Sequence, residues 1–186
     1  MGSRKVSGSL VLLVERLLGC EIEVSVDRFR NPDLLVDAGI GGRLQKRILA
    51  WLREAEVRGF DALVLVIDED GDRERVKLVS RAQEDASIFS LPRAFGVAIR
   101  TFDAWMLADE KALSRILGFT VKRFATPERI KDPKKKIEAL LKKAGPDAPG
   151  LSALYAQLAG RVELKDLETR CPKGFAPFAE RVRAVA

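Results

Sequence analysis

The chain contains no histidine, so imidazole cannot serve as general base, proton shuttle or metal ligand, and thiolate–imidazole zinc sites and Ser–His–Asp chemistry are excluded. Cysteine is nearly absent. Cys20 and Cys171 lie far apart with no C-x-x-C spacing, which argues against a disulfide scaffold and for a reducing, cytoplasmic setting. Aromatic residues make up only 6% of the chain, with a single tyrosine, Tyr155. No apolar run approaches the roughly 18 residues of a membrane span, and no signal peptide is visible at the start, so no membrane partner is expected.

What is present is enough for a folded core. Hydrophobic residues account for 47% of 186 positions, which fits one domain with a small appendage and excludes global disorder. The formal charge of +6 is unevenly placed. Between Lys111 and Pro146 eleven Lys and Arg face three acids, which leaves the rest of the chain at −2. Separated charge of this kind is a footprint for polyanions, nucleic acid (DNA or RNA) first; a solvated helical face is the plain alternative.

Hydrophobic periodicity orders the chain. Leu10, Leu13, Val14, Leu17 and Leu18 predict a helix over 8–18, stopped by Gly19. Residues 20–29 alternate Ile22, Val24 and Val26 with polar neighbours and predict a half-buried strand, and 31–42 reads as a loop. A helix over about 42–58 presents Leu44, Ile48, Trp51, Leu52 and Ala55. Residues 60–68, "FDALVLVID", form a continuous apolar run expected of a central strand buried on both faces of a parallel sheet. A weaker helix over 72–85, a strand over 95–102 and a helix or broken pair of helices over 103–118 follow. The order α-β-α-β-α-β-α predicts an α/β domain over 1–118 with a mostly parallel sheet flanked by helices. Residues 119–186 predict a helical C-terminal extension packed on it. There Asp132, Pro133 and Gly145 bracket a lysine-rich helix with Ile137, Leu140, Leu141 and Ala144 on its apolar side.

The chemistry concentrates where the best strand ends. Ligand sites of parallel sheets lie beyond the carboxyl ends of their strands, and Asp68 occupies that end. Residues i and i+2 of an extended segment project to one side, so Asp68 and Asp70 are expected to converge while Glu69 points away, with Gly71 turning the chain. Two neighbouring carboxylates suit Mg²⁺, which takes one or two of them plus water and phosphate oxygens. A polar turn with Asp72 capping the next helix is the competing reading. Asp103 follows the third strand and adds an acid at the same edge, although a helix's first turn favours a carboxylate for its own reasons. Trp51, Trp105 and Phe102 fall on apolar faces and are expected in the core rather than as base-stacking platforms. Tyr155 lacks any sequence support as a nucleophile. Glu15 is expected to face solvent.

Together, "VLVIDEDGD", "VAIRTFDAWMLAD", "DPKKKIEALL" and the closing "RCPKGFAPFAERV" resemble the bacterial TOPRIM-like family known as domain of unknown function 4276. The resemblance runs over roughly residues 8–186. It implies a TOPRIM-like fold acting on nucleic-acid phosphodiesters with Mg²⁺ (or Mn²⁺), some relatives serving with partner proteins in antiphage defence. By it Asp68 and Asp70 become metal ligands and Asp68, Asp70 and Asp103 catalytic acids, Asp103 standing where the family has a longer glutamate. From the charge of the segment, not from the resemblance, Lys131, Lys134, Lys135, Lys136, Lys142 and Lys143 are the expected nucleic-acid contacts, with solubilising the helix as the alternative. Domains of this type begin with a strand ending in a Glu-Gly turn. Here "MGSRKVSG" precedes the first helix, so the resemblance implies a shortened start and weak or no catalysis in this chain. A non-catalytic nucleic-acid-binding or regulatory subunit is the alternative.

Overall fold

A computed structural model describes residues 8–24, 40–84 and 90–185. Two parallel strands, nine α-helices and one 3₁₀ turn occur among these residues, and together they make a mixed α/β fold. Helix α1 (Ser9–Leu18) ends where Gly19 turns left-handed at φ 73° and returns its N–H to the Glu15 carbonyl. Helix α2 (Ile40–Val57) begins two residues earlier than its periodicity predicts. Strand β1 (Leu63–Asp68), helix α3 (Glu74–Glu84) and strand β2 (Arg93–Ala98) follow. The paired helices expected over 103–118 are α4 (Asp103–Met106) and α5 (Glu110–Leu117). The 3₁₀ turn Pro127–Arg129 leads into α6 (Pro133–Ala144), α7 (Leu151–Arg161), α8 (Leu164–Arg170) and α9 (Phe175–Arg183). No helix among the described residues is long and apolar enough to cross a membrane.

The sheet is smaller than predicted. Leu63 pairs with Arg93 and Asp68 with Ala98 in one parallel register, and no third strand occurs among the described residues. Most of the strand predicted over 20–29 lies outside those residues, as does most of the 31–42 loop. Residues 21–24 are described and are not strand. β2 also ends four residues before the predicted boundary. Arg100 sits at φ 67°, a left-handed conformation that an extended chain cannot continue through.

Two apolar cores flank the sheet. On one face, Leu63, Leu65 and Ile67 of β1 meet Ile48, Leu52 and Ala55 of α2 and Val79 and Ala82 of α3. On the other, Val64 and Val66 pack against a larger cluster built from α1, α4, α5 and the helices that follow. Trp105 is its centre: fully buried, it lies 5.1 Å from the Phe175 ring and 5.6 Å from that of Phe178. Burying a side chain of the Leu or Phe size is worth about 1.5–3 kcal/mol, so helix α9, with Phe175, Phe178, Ala179 and Val182 all buried, is anchored chiefly by this cluster. It also approaches β2 closely. A Cβ on Gly96 would come within 2.7 Å of the Phe178 ring, so a larger residue there would push α9 off the strand.

Candidate functional site

β1 delivers Asp68 to the carboxyl end of the sheet, half-buried. Its Oδ1 accepts a 2.7 Å hydrogen bond from the backbone N–H of Phe102, just before α4. Burial raises the Asp68 pKa, and the negative charges of Asp70 and Asp103 push it further the same way. The Phe102 N–H and the Arg75 guanidinium act against them. Carboxylates from two separate segments therefore share one electrostatic neighbourhood at this edge.

Their side chains are nonetheless engaged one by one. The extended chain stops at Asp68. Asp70 is left-handed at φ 51° and Gly71 follows at φ 79°. The i, i+2 argument for Asp68 and Asp70 requires continued extension, so it does not hold here. Asp70 instead accepts a 2.8 Å bond from Arg75 Nη1, and the same nitrogen donates to the Asp68 carbonyl at 2.7 Å. Asp72 accepts from the Glu74 N–H at 3.0 Å and so supports the start of α3, as the capping reading expects. Asp103 opens α4, and its Oδ1 accepts from the hydroxyl of Tyr155 on α7. Burial and that hydrogen bond to Asp103 raise the tyrosine pKa far above its usual value. Tyr155 thus keeps its proton and acts as a donor, which makes it a poor nucleophile.

Glu69 does not point away. It is buried, its Oε2 accepts from the Arg100 N–H at 3.1 Å, and its own N–H donates to the Ala98 carbonyl at 2.9 Å. The stop of β1 and the stop of β2 are thereby tied together. Behind it lies Glu128, also buried, whose two oxygens take the N–H groups of Gly174 at 2.7 Å and Lys173 at 3.2 Å. Burial raises the Glu128 pKa, and the charge of Glu69 adds to the rise. Glu128 therefore anchors the approach to α9. Sequence reasoning passes over it, because a single acid in "TPERI" shows no pattern. Glu15 is half-buried, its Oε1 receiving the Ile22 N–H at 3.4 Å, which corrects the expectation that it faces solvent.

No group of three or more acids or cysteines placed to hold a metal ion occurs among the described residues. Asp68, Asp70 and Asp103 meet at one edge without converging as a three-acid ligand set. Arg75 supplies positive charge to Asp70.

The lysine-rich helix is differently made. Asp132 caps α6 by accepting the Lys135 N–H at 3.1 Å, and Pro133 occupies its first turn. Lys131, Lys134, Lys135, Lys136, Lys142 and Lys143 are all exposed. Lys135 is paired to Asp132 at 2.9 Å. Lys143 lies 4.4 Å from the Phe119 ring centre and Lys136 lies 5.7 Å from that of Phe124, contacts that orient a cation without neutralising it. Trp105 is core, whereas Trp51 and Phe102 are half-buried against the two clusters.

Comparison of the chain with protein-family models, with curated proteins and with solved structures returned no match.

Proposed function

We propose that this chain is a TOPRIM-like protein that engages nucleic-acid phosphodiesters with Mg²⁺, or Mn²⁺ in its place, and cleaves them weakly at most, since the Glu-Gly strand that such domains begin with is not among its residues. One observation carries the reading: at the carboxyl end of a parallel strand, Asp68 feels the charges of both Asp70 and Asp103, which arrive from different segments. Asp68 and Asp70 would hold the ion, together with water and phosphate oxygens. When bound, such an ion neutralises charge developing at phosphorus. The protein's own groups do the rest. Arg75 holds Asp70, the Phe102 N–H fixes Asp68, and Tyr155 fixes Asp103 while keeping its own proton. The exposed lysines of α6 supply sequence-independent affinity for the phosphate backbone, weakening as salt rises.

A second reading, a non-catalytic nucleic-acid-binding subunit, is favoured by the Arg75–Asp70 contact, because a guanidinium at 2.8 Å already serves as counter-ion to that acid. Incubation with plasmid, single-stranded DNA and RNA, with and without Mg²⁺, separates the two. The phosphodiesterase reading expects metal-dependent cleavage that Asp68→Ala abolishes. Salt-sensitive binding without cleavage selects the second reading, and neither binding nor cleavage defeats both.

A further inference from the structure

Two lysines of α6 sit over phenylalanine rings that come from the segment before it. Lys143 Nζ lies 4.4 Å from the ring centre of Phe119, and Lys136 Nζ lies 5.7 Å from that of Phe124. Both rings are half-buried and pack against the larger core. The ammonium over each belongs to an exposed side chain, so the ring face that it covers is the one turned to solvent. Lys136 and Lys143 stand at positions i and i+7, on one side of α6 and about 10 Å apart along its axis. Between the two phenylalanines in the chain, Lys122 and Arg123 are exposed as well.

A lysine stem laid over a ring has an ordinary use, which is to cover apolar surface. Here the same arrangement offers more. The stem is flexible, so the ring face can be uncovered while the core beneath it stays packed. Each ring–lysine pair then presents the two things a nucleotide needs, a flat apolar face for the base and a cation for the phosphate. A duplex can use only the second, because its bases are stacked on one another and its phosphates would meet these lysines with or without rings below. Bases that are unpaired and unstacked can use both. A base stacked on an aromatic side chain is worth more than an exposed cation over the same ring, so the exchange is favourable.

We propose, resting on the nucleic-acid reading of α6, that the partner bound there is a single strand. Phe119 and Phe124 are its two stacking platforms, and Lys136 and Lys143 swing aside onto the flanking phosphates. Phenylalanine has no polar group with which to read a base edge, so this binding is independent of sequence. Deoxyribose and ribose strands share the chemistry that the rings recognise.

The test is fluorescence anisotropy with the full chain in EDTA, so that neither cleavage nor a bound metal enters. The ligands are short oligo(dT), oligo(U), a duplex of equal length and an abasic oligomer of equal length and charge. In the parent chain oligo(dT) should bind roughly tenfold tighter than the abasic oligomer, or more, and oligo(dT) or oligo(U) should outlast the duplex as salt rises. The stronger of those two single strands names the sugar. The double variant Phe119→Leu, Phe124→Leu keeps apolar packing and removes both rings. It should lose the advantage over the abasic oligomer and bind the duplex as the parent does. Should that variant fail to fold, the abasic comparison in the parent decides on its own. Equal affinity for oligo(dT) and the abasic oligomer, or a folded double variant that binds oligo(dT) as the parent does, overturns the stacking proposal and leaves the nucleic-acid reading standing. Binding of none of the four ligands overturns both.

Discussion

The acidic edge and the lysine helix carry opposite charge and are built on opposite plans. At the edge, every acid has a protein partner: Phe102 for Asp68, Arg75 for Asp70, Arg100 for Glu69 and Tyr155 for Asp103. On α6 the lysines are exposed, Lys135 paired to Asp132 and two others lying over phenylalanine rings. Burial therefore works against the charged form of Asp68, while the lysines pay little desolvation and remain available to phosphate. The edge is specific and energetically costly, and the helix is generic and cheap. If that contrast is right, mutations on α6 should change binding and spare stability, and mutations at the edge should do the reverse.

The largest effect is expected on the helix. Replacing Lys131, Lys134 and Lys142 together by glutamate should lower nucleic-acid affinity about 100-fold at moderate salt and flatten the log–log salt dependence by up to about 3, with the melting temperature nearly unchanged. Fluorescence anisotropy against salt concentration checks this, and unchanged affinity would remove α6 from the interface. Next comes Tyr155→Phe, which leaves Asp103 without its hydroxyl donor. A cost of about 1.5 kcal/mol is expected in urea unfolding, with nucleic-acid affinity unaltered; a loss of affinity instead would dissolve the contrast.

Arg75→Gln should cost less than about 1 kcal/mol, since Asp70 is 54% exposed and such pairs are screened. Its more telling effect is on metal: removing the built-in counter-ion should tighten Mn²⁺ binding several-fold. The smallest effect concerns pH. The folded Asp68 pKa lies above its ordinary value, so this carboxyl supports the fold in its protonated form below that ordinary value and loses that contribution as pH rises through the folded value. Asp68→Asn can still accept the Phe102 N–H. It should therefore melt slightly higher than the parent at pH 7.5, the difference closing on acidification below the ordinary aspartate range. A lower melting temperature at pH 7.5 would mean that the ionised form is the stabilised one.

The sequence made some of this legible and concealed the rest for identifiable reasons. Helices α1, α2 and α6 follow from apolar spacing and from Gly19 and the Asp132–Pro133 start, which are local signals. β1 announced itself as an apolar run, and the parallel pairing followed from alternating elements. The short α8 has little local signal, because "LKDLETR" offers only Leu164 and Leu167 as apolar positions and only Leu167 is buried. Strand polarity puts Asp68 at the carboxyl end of β1, where it lies, but it does not give the side-chain directions beyond that point. β1 ends at Asp68 as predicted, but left-handed Asp70 breaks the extension that alternation assumes beyond it, so Glu69 is buried rather than turned outward, and left-handed Arg100 ends β2 early. The Tyr155 contact with Asp103 spans 52 residues, a distance over which periodicity carries no information.

Whether Asp68 and Asp70 hold a divalent cation at the end of β1, as proposed, is decided by electron paramagnetic resonance of Mn²⁺ titrated into the protein. A bound-Mn²⁺ population is expected in the parent chain, strengthened by a short oligonucleotide and lost in Asp68→Ala. A titration in which all Mn²⁺ stays free, or one in which Asp68→Ala binds as the parent does, would contradict it.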